Sequence, residues 1–161
     1  MNIKTVLIIF GIILILVAGI IFLRFNMQNL AARNGNQVSL AKVTVNKQVF
    51  TTEVARTPKT QEEGLSDRKN LAQDHGMLFI FSKPGRYSFW MRRMNFPLDL
   101  IYINGTKIVQ IFNNVPPPSD KNSTNLPIYQ STQPADKVLE INGGLSQKYG
   151  FKKGDTVDIS L

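Results

Sequence analysis

Residues 86–99 gather side chains that recognise polar ligands. Trp90 offers an aromatic face on which a sugar ring can stack, and Arg92 and Arg93 offer planar donor forks that match a carboxylate or phosphate. Asn95 adds an amide and Asp99 a carboxylate, with Pro97 between them. A ligand-binding patch is therefore expected at Trp90, Arg92, Arg93, Asn95 and Asp99. The competing assignment is structural: Trp90 in the core, the arginines solvated, Asp99 capping a turn or pairing with arginine.

Other acids invite a second chemistry. Glu53, Glu63, Asp99 and Glu140 could include two carboxylates placed as in a glycosidase, a relation fixed by distance in space rather than spacing in sequence. Glu62-Glu63 are expected on the solvated face of a short helix, Glu140 to point outward from a buried strand, and Glu53 to pair with Arg56 at the surface. His75, the one histidine, has Asp74 beside it, but no serine is singled out as a nucleophile, so it is expected in a loop before a strand. Cysteine is absent, which excludes thiol nucleophiles, disulfides and cysteine metal sites. A single histidine also excludes a polyhistidine site within one chain, so neither metal nor cofactor is expected. Gly143, Gly144, Gly150 and Gly154 form no phosphate loop and read as turn and helix punctuation. Asn104-Gly-Thr106 and Asn122-Ser-Thr124 match the glycosylation acceptor pattern, the first already explained by a tight hairpin.

The formal charge of +8 raises the question of nucleic acid. The basic residues are scattered, with no run longer than two in the domain, and no nucleic-acid signature accompanies them. The excess is read as a solvated surface that favours anionic lipid headgroups, carbohydrate or envelope polymers, and nucleic acid is not expected as a partner.

The elements that must position these residues fall into three parts. Residues 6–23, VLIIFGIILILVAGIIFL, carry no charge and as a helix span about 27 Å, close to the hydrocarbon thickness of a bilayer. Lys4 and Arg24 bracket them, so residues 1–24 are expected to form a transmembrane anchor. A cleavable signal peptide is the rival, but the run is long for one and the small-residue site near Ala32 is poor. An uncleaved anchor with the domain exported to the extracytoplasmic side is expected. Residues 25–40, rich in Asn, Gln and Ala, read as a flexible linker, and residues 41–161 as one domain.

Within that domain Val43, Val45, Val49, Phe50 and Val54 suggest two strands turning at Asn46-Lys47. Thr57-Pro58 opens a short helix ending near Gly64. Gly76 to Phe81 is an apolar run of strand length; Tyr87, Phe89 and Met91 alternate with polar neighbours in the next. Asn104-Gly105 joins a hairpin, a proline-rich loop follows over 113–134, and strands resume at Val138 and Thr156 around a short helix at Leu145. The expected fold is mainly β within the α+β class: a compact, strand-rich, barrel-like domain with two short helices, preceded by one transmembrane helix.

Glu53-Val-Ala-Arg-Thr57, Gly64-Leu65, Gly76-Met-Leu-Phe79, Phe89-Trp90-Met91, Pro97-Leu-Asp99, Pro134-Ala135, Val138-Leu-Glu140 and Gly150 through Gly154-Asp155 come in an order that resembles domain of unknown function family 192. The resemblance covers about residues 49–159 and implies a small, strand-dominated fold, often secreted or membrane-attached, with no assigned substrate. The chain departs from the family pattern twice. Ser66 follows Gly64-Leu65 where the family usually has Met, and Arg92-Arg93-Met94 stands where it usually has Lys-Asn-Thr. Two functions fit these observations: a binding or assembly module of the cell envelope, and an envelope-associated hydrolase using Asp99 or Glu140 as acid–base.

Overall fold

The computed structural model describes residues 2–34, 39–120, 123 and 125–161. It divides into two units, Met1–Val38 and Ser39–Leu161. In the first, α1 (Ile3–Asn34) carries an apolar stretch over 13–23 with no polar face, and Phe10, Ile15, Ile21 and Leu23 are all well exposed. A helix apolar on every side needs an apolar surround, and Ile9–Met27, with a mean hydropathy of 2.4, is long and apolar enough to cross a membrane. Its place near the N-terminus also suits a signal sequence. The helix runs ten residues past Arg24, through part of the expected linker, because Gln28, Leu30, Ala31, Ala32 and Arg33 are good helix formers. Residues 35–38 of that linker lie outside the described residues.

The second unit opens with β1 (Leu40–Val45) and β2 (Gln48–Ala55), an antiparallel hairpin whose two loop residues, Asn46 and Lys47, both take positive φ. Thr57 then caps α2 (Pro58–Glu63) through a reciprocal pair of bonds with Thr60, and Pro58 stands in the first turn. β3 (His75–Gly85) returns parallel to β2. β5 (Leu98–Asn104) and β6 (Lys107–Val115) form the expected hairpin, with Gly105 and Thr106 as its loop and only Gly105 at positive φ. β8 (Ala135–Asn142), α3 (Leu145–Lys148) and β9 (Val157–Ser160) complete the domain.

Seven strands make one curled, half-barrel sheet in the order β6-β5-β8-β3-β2-β1-β9. The strand expected over 86–91 shrinks to β4 (Ser88–Phe89), which pairs only with β7 (Tyr129–Gln130). A turn at Met91–Met94, with Arg93 at positive φ, ends the alternation there. β7 also gives the proline-rich loop an anchoring point. Asn122 and Thr124 of the second glycosylation pattern lie outside the described residues.

The pleat divides the core in two. Val43, Leu78, Ile101, Leu139 and Ile141 point to one face, where Leu145 and Phe151 cover them. Met77, Phe79, Leu98, Leu100, Tyr102 and Val138 point to the other, covered by Leu65, Met91 and Met94. The central strands are therefore buried on both faces, which is why they read as continuous apolar runs.

Candidate functional site: a cavity over Glu140

One residue breaks those runs. Glu140 on β8 is paired in register with Met77 on β3 and Leu100 on β5, so its side chain rises between two apolar neighbours. It is 6% exposed, and the outward placement expected for it is wrong. Alternation along β8 does carry Glu140 away from Leu139 and Ile141, but the face it reaches is covered by a second core rather than water. β3 and β8 approach closely here because residue 76 is glycine: a Cβ would stand 2.5 Å from the Glu140 carbonyl oxygen.

Glu140 lines a cavity of ≈140 Å³. Phe79, Phe81, Tyr87, Phe89 and Trp90 supply aromatic walls, while Glu62 to Ser66 bring the end of α2 and the turn after it. The rings brace one another: Phe81 and Tyr87 stack at 3.5 Å, and Phe79 meets Phe89 edge-on at 4.9 Å. Tyr102 beneath them donates its hydroxyl proton to the Tyr129 carbonyl at 2.7 Å. Burial pushes the Glu140 carboxyl up to about 8. No hydrogen bond to that carboxyl forms among the described residues. The group is a neutral acid at pH 7, with its hydrogen-bonding capacity unspent.

The sequence model of DUF192, described as "Uncharacterized ACR", matches residues 41–159. The chain belongs to the DUF192 family. No curated protein matches it. It is similar to the crystal structure of a protein of unknown function from Novosphingobium aromaticivorans DSM 12444, at 34% identity over 76% of this chain and 85% of that one, with a TM-score of 0.66. It is also similar to a protein from Sinorhizobium meliloti 1021 proposed as a transcription regulator, at 30% identity over 76% and 95% of the two chains, with a TM-score of 0.68. Five of the eight segments that carry the DUF192 resemblance send residues to the cavity: Gly64-Leu65, Phe79, Phe89-Trp90, Leu98 and Glu140. Ser66 lines it as well, and so does Met94, but neither Arg92 nor Arg93 of the segment Arg92-Arg93-Met94 does.

The residues expected to form the binding patch are only partly brought together. Trp90 stands on the cavity, 51% exposed, and so is not core. Arg92 and Arg93 are exposed and outside the lining; Arg93 pairs with Asp67 at 3.2 Å, and the Arg92 carbonyl accepts from Ser66 Oγ at 3.1 Å. Asn95 donates from Nδ2 to the Arg68 carbonyl at 2.8 Å, tying the same two loops together.

Asp99 belongs elsewhere. It is fully buried and in register with Ile141, on the face of the sheet opposite Glu140. Its Oδ1 accepts from the amides of Asn114 (2.6 Å) and Gly144 (2.8 Å), and its Oδ2 from Ser146 (2.6 Å). It caps the start of α3 and pins the end of β6, so the turn-capping assignment holds.

Of the remaining acids, Glu53 pairs with Arg68 and not with Arg56, through two bonds of 2.5 and 2.7 Å. That guanidinium holds the Glu53 carboxyl below its ordinary value, against the opposing effect of burial. Glu53 shares the sheet face of Glu140, with Met77 between them. His75 is exposed and engages Asp74 at 2.7 Å. Among the described residues no three acidic or imidazole side chains cluster as metal ligands would.

The sequence did hold a signal for this site. Glu140 is the one acid inside the apolar run 138–141, the part of β8 that must be buried on both sides, and Phe79/Phe81 and Tyr87/Phe89 alternate at the strand period.

Proposed function

We propose that this DUF192 chain is a membrane-tethered binding module of the cell envelope, and that it takes a small ligand into the cavity over Glu140. One observation carries the reading: a buried carboxyl that meets no hydrogen-bond partner among the described residues opens on an aromatic-walled space. A buried polar group is costly unless something satisfies it, and a site that spends stability this way is poised for a ligand to complete it. α1 serves as the uncleaved anchor, and the domain works on the extracytoplasmic side. Its length and all-round apolar surface support the anchoring role. Arg92 and Arg93, exposed beside Trp90, add a surface contact for anionic envelope polymer, carbohydrate or lipid headgroups.

A hydrolase is the second reading, favoured by the same neutral carboxyl, which suits a general acid at pH 7. Its partner acid is harder to find. Asp99 is held by three amides on the other face, and Glu53 is tied to Arg68.

Trp90 is the only tryptophan in the chain and stands at the cavity, so its emission reports on this site alone. In full-length protein held in maltoside micelles, a panel of small cationic, neutral and anionic compounds should include at least one that shifts Trp90 emission saturably. A Ser88→Phe variant, which fills the cavity from its rim, should abolish the response. Failure of every charge class to give a saturable shift in folded protein rejects the binding module.

A further inference from the structure

Among the described residues, the charges that line the cavity are all of one sign. Among these residues its lining contains three carboxyl groups, Glu62, Glu63 and Glu140, and no lysine, arginine or histidine, in a chain whose formal charge is +8. Glu62 and Glu63 are exposed at the end of α2, and Lys59 reaches only Glu63, at 4.0 Å. Five of the fifteen lining residues are aromatic, so π-faces meet the same space as the acids. The negative faces of aromatic rings attract cations, most of all where water is excluded. An anion would meet three acids and no donor of positive charge. Neutral solutes would satisfy the Glu140 carboxyl but gain nothing from Glu62 and Glu63. A cavity of ≈140 Å³ is close to the size of about 150 Å³ that accommodates a benzene-sized guest, so one compact head group fits.

We propose that the cavity binds the ammonium head group of a small organic cation, primary or methylated, with Glu140 as its counter-charge and the rings from Phe79 to Trp90 as its walls. This rests on the binding-module reading and specifies the ligand class for that same site.

The cation must displace a proton. Glu140 is neutral when the cavity is free, and an ammonium group beside it stabilises the carboxylate, so binding releases H⁺ at pH below about 8. Other groups facing Glu140 are consistent with that direction. Met77, Leu98 and Leu100 are apolar; Tyr87 and Tyr102 present hydroxyls, the latter held protonated by burial and by the Glu140 charge; Glu53, farther along the row, is neutralised by Arg68. Glu62 and Glu63 add only negative charge at the mouth. Affinity therefore rises about tenfold per pH unit below Glu140's value and levels off above it.

The test uses the full chain in maltoside micelles, with Trp90 emission as the readout. Choline, tetramethylammonium and ethylammonium chlorides are titrated against sodium chloride, sodium acetate and 3,3-dimethyl-1-butanol, the neutral isostere of choline. The organic cations should bind saturably and at least tenfold more tightly than the neutral isostere, with affinity rising from pH 6 to 8. Glu140→Gln, a neutral isostere of a group already neutral in the free protein, should stay folded, bind the cations at least tenfold more weakly and lose the pH dependence. Competition by phosphatidylcholine added to the micelles would trace the head group to a lipid, and its failure to compete would trace it to a free solute; the cation assignment stands in both cases. Equal binding of 3,3-dimethyl-1-butanol and choline, preference for acetate, or unchanged affinity in Glu140→Gln would overturn the assignment while leaving a binding module. Silence from all six probes in folded protein would also overturn it, and would count against the module itself.

Discussion

Two carboxyl groups lie one strand apart near the middle of the sheet, Asp99 on β5 and Glu140 on β8, both in buried residues. Asp99 faces the side covered by α3 and accepts three backbone N–H bonds, which replace the water it gave up. Glu140 faces the aromatic side, between Met77 and Leu100, and receives no such replacement among the described residues. The difference comes from what the chain lays over each face. A glycine-rich turn and a short helix bring free amides to Asp99, whereas aromatic rings and the acidic end of α2 surround the space over Glu140 and, among the described residues, give its carboxyl no hydrogen bond. The first acid is finished as a structural part. The second is unfinished, and that is the physical basis for treating its surroundings as a site.

Asp99→Ala is the largest blow to this comparison. It leaves the amides of Asn114, Gly144 and Ser146 without their acceptor, and an orphaned buried donor costs about 1–3 kcal/mol. Urea unfolding should show a loss of about 3 kcal/mol or more, with ligand binding at the cavity unchanged in whatever protein remains folded. A loss under about 1 kcal/mol would mean that water satisfies these amides readily, and the contrast with Glu140 would collapse.

Glu140 should reveal itself through pH. Its folded value, about 8, lies above the ordinary 4.5, so between those limits the folded state binds more protons than the unfolded one. Stability should therefore be greatest at and below pH 4.5 as far as this group is concerned, fall as pH rises towards 8, and level off beyond. The fall is on the order of a few kcal/mol, since each unit of separation is worth about 1.4. Glu140→Gln carries no proton to lose, so its unfolding midpoint should be flatter over pH 5–8 and should exceed that of the parent at the alkaline end. Parallel curves for the two proteins would show that water already reaches the carboxyl.

Why one acid was legible in the sequence and the other was not follows from how each is satisfied. Local patterns gave the strand runs, the Asn46-Lys47 turn, the Thr57 cap and the 104–106 hairpin, because their causes lie within a few residues. The capping assignment for Asp99 was open to inspection, but its partners lie 15, 45 and 47 residues away. Glu140 was misplaced because alternation says only that a side chain leaves one face; it does not say whether water or a second core waits on the other. The strand expected at 86–91 failed for a similar reason, since the turn around Arg93 is set by its bonds to the Asp67 loop. Arg92, Arg93 and Asn95 are close to Trp90 in sequence, yet the cavity turns on Glu140, fifty residues on.

The smallest effect probes the roof over Glu140. Where the resemblance implies Met and Thr, this chain has Ser66 and Met94, and both line the cavity. The loops that carry them are joined by Ser66 Oγ to the Arg92 carbonyl and by the Asp67 amide to the Arg93 carbonyl. A methionine thus enters the same wall from the neighbouring loop, and the exchange keeps the wall's volume nearly constant. Met94, only 4% exposed, should be missed if replaced alone: Met94→Thr opens a gap and costs about 1–2 kcal/mol. The gap also admits water, so the Glu140 carboxyl should titrate lower, which NMR of its side-chain carbon can follow. Ser66→Met added to that variant should close the gap again and return both stability and titration towards the parent. Residues that share a cavity couple, so the double variant should be more stable than the sum of its two parts by about 1 kcal/mol. Strict additivity would separate the two positions, and the isolation of Glu140 would then have to come from the aromatic rings alone.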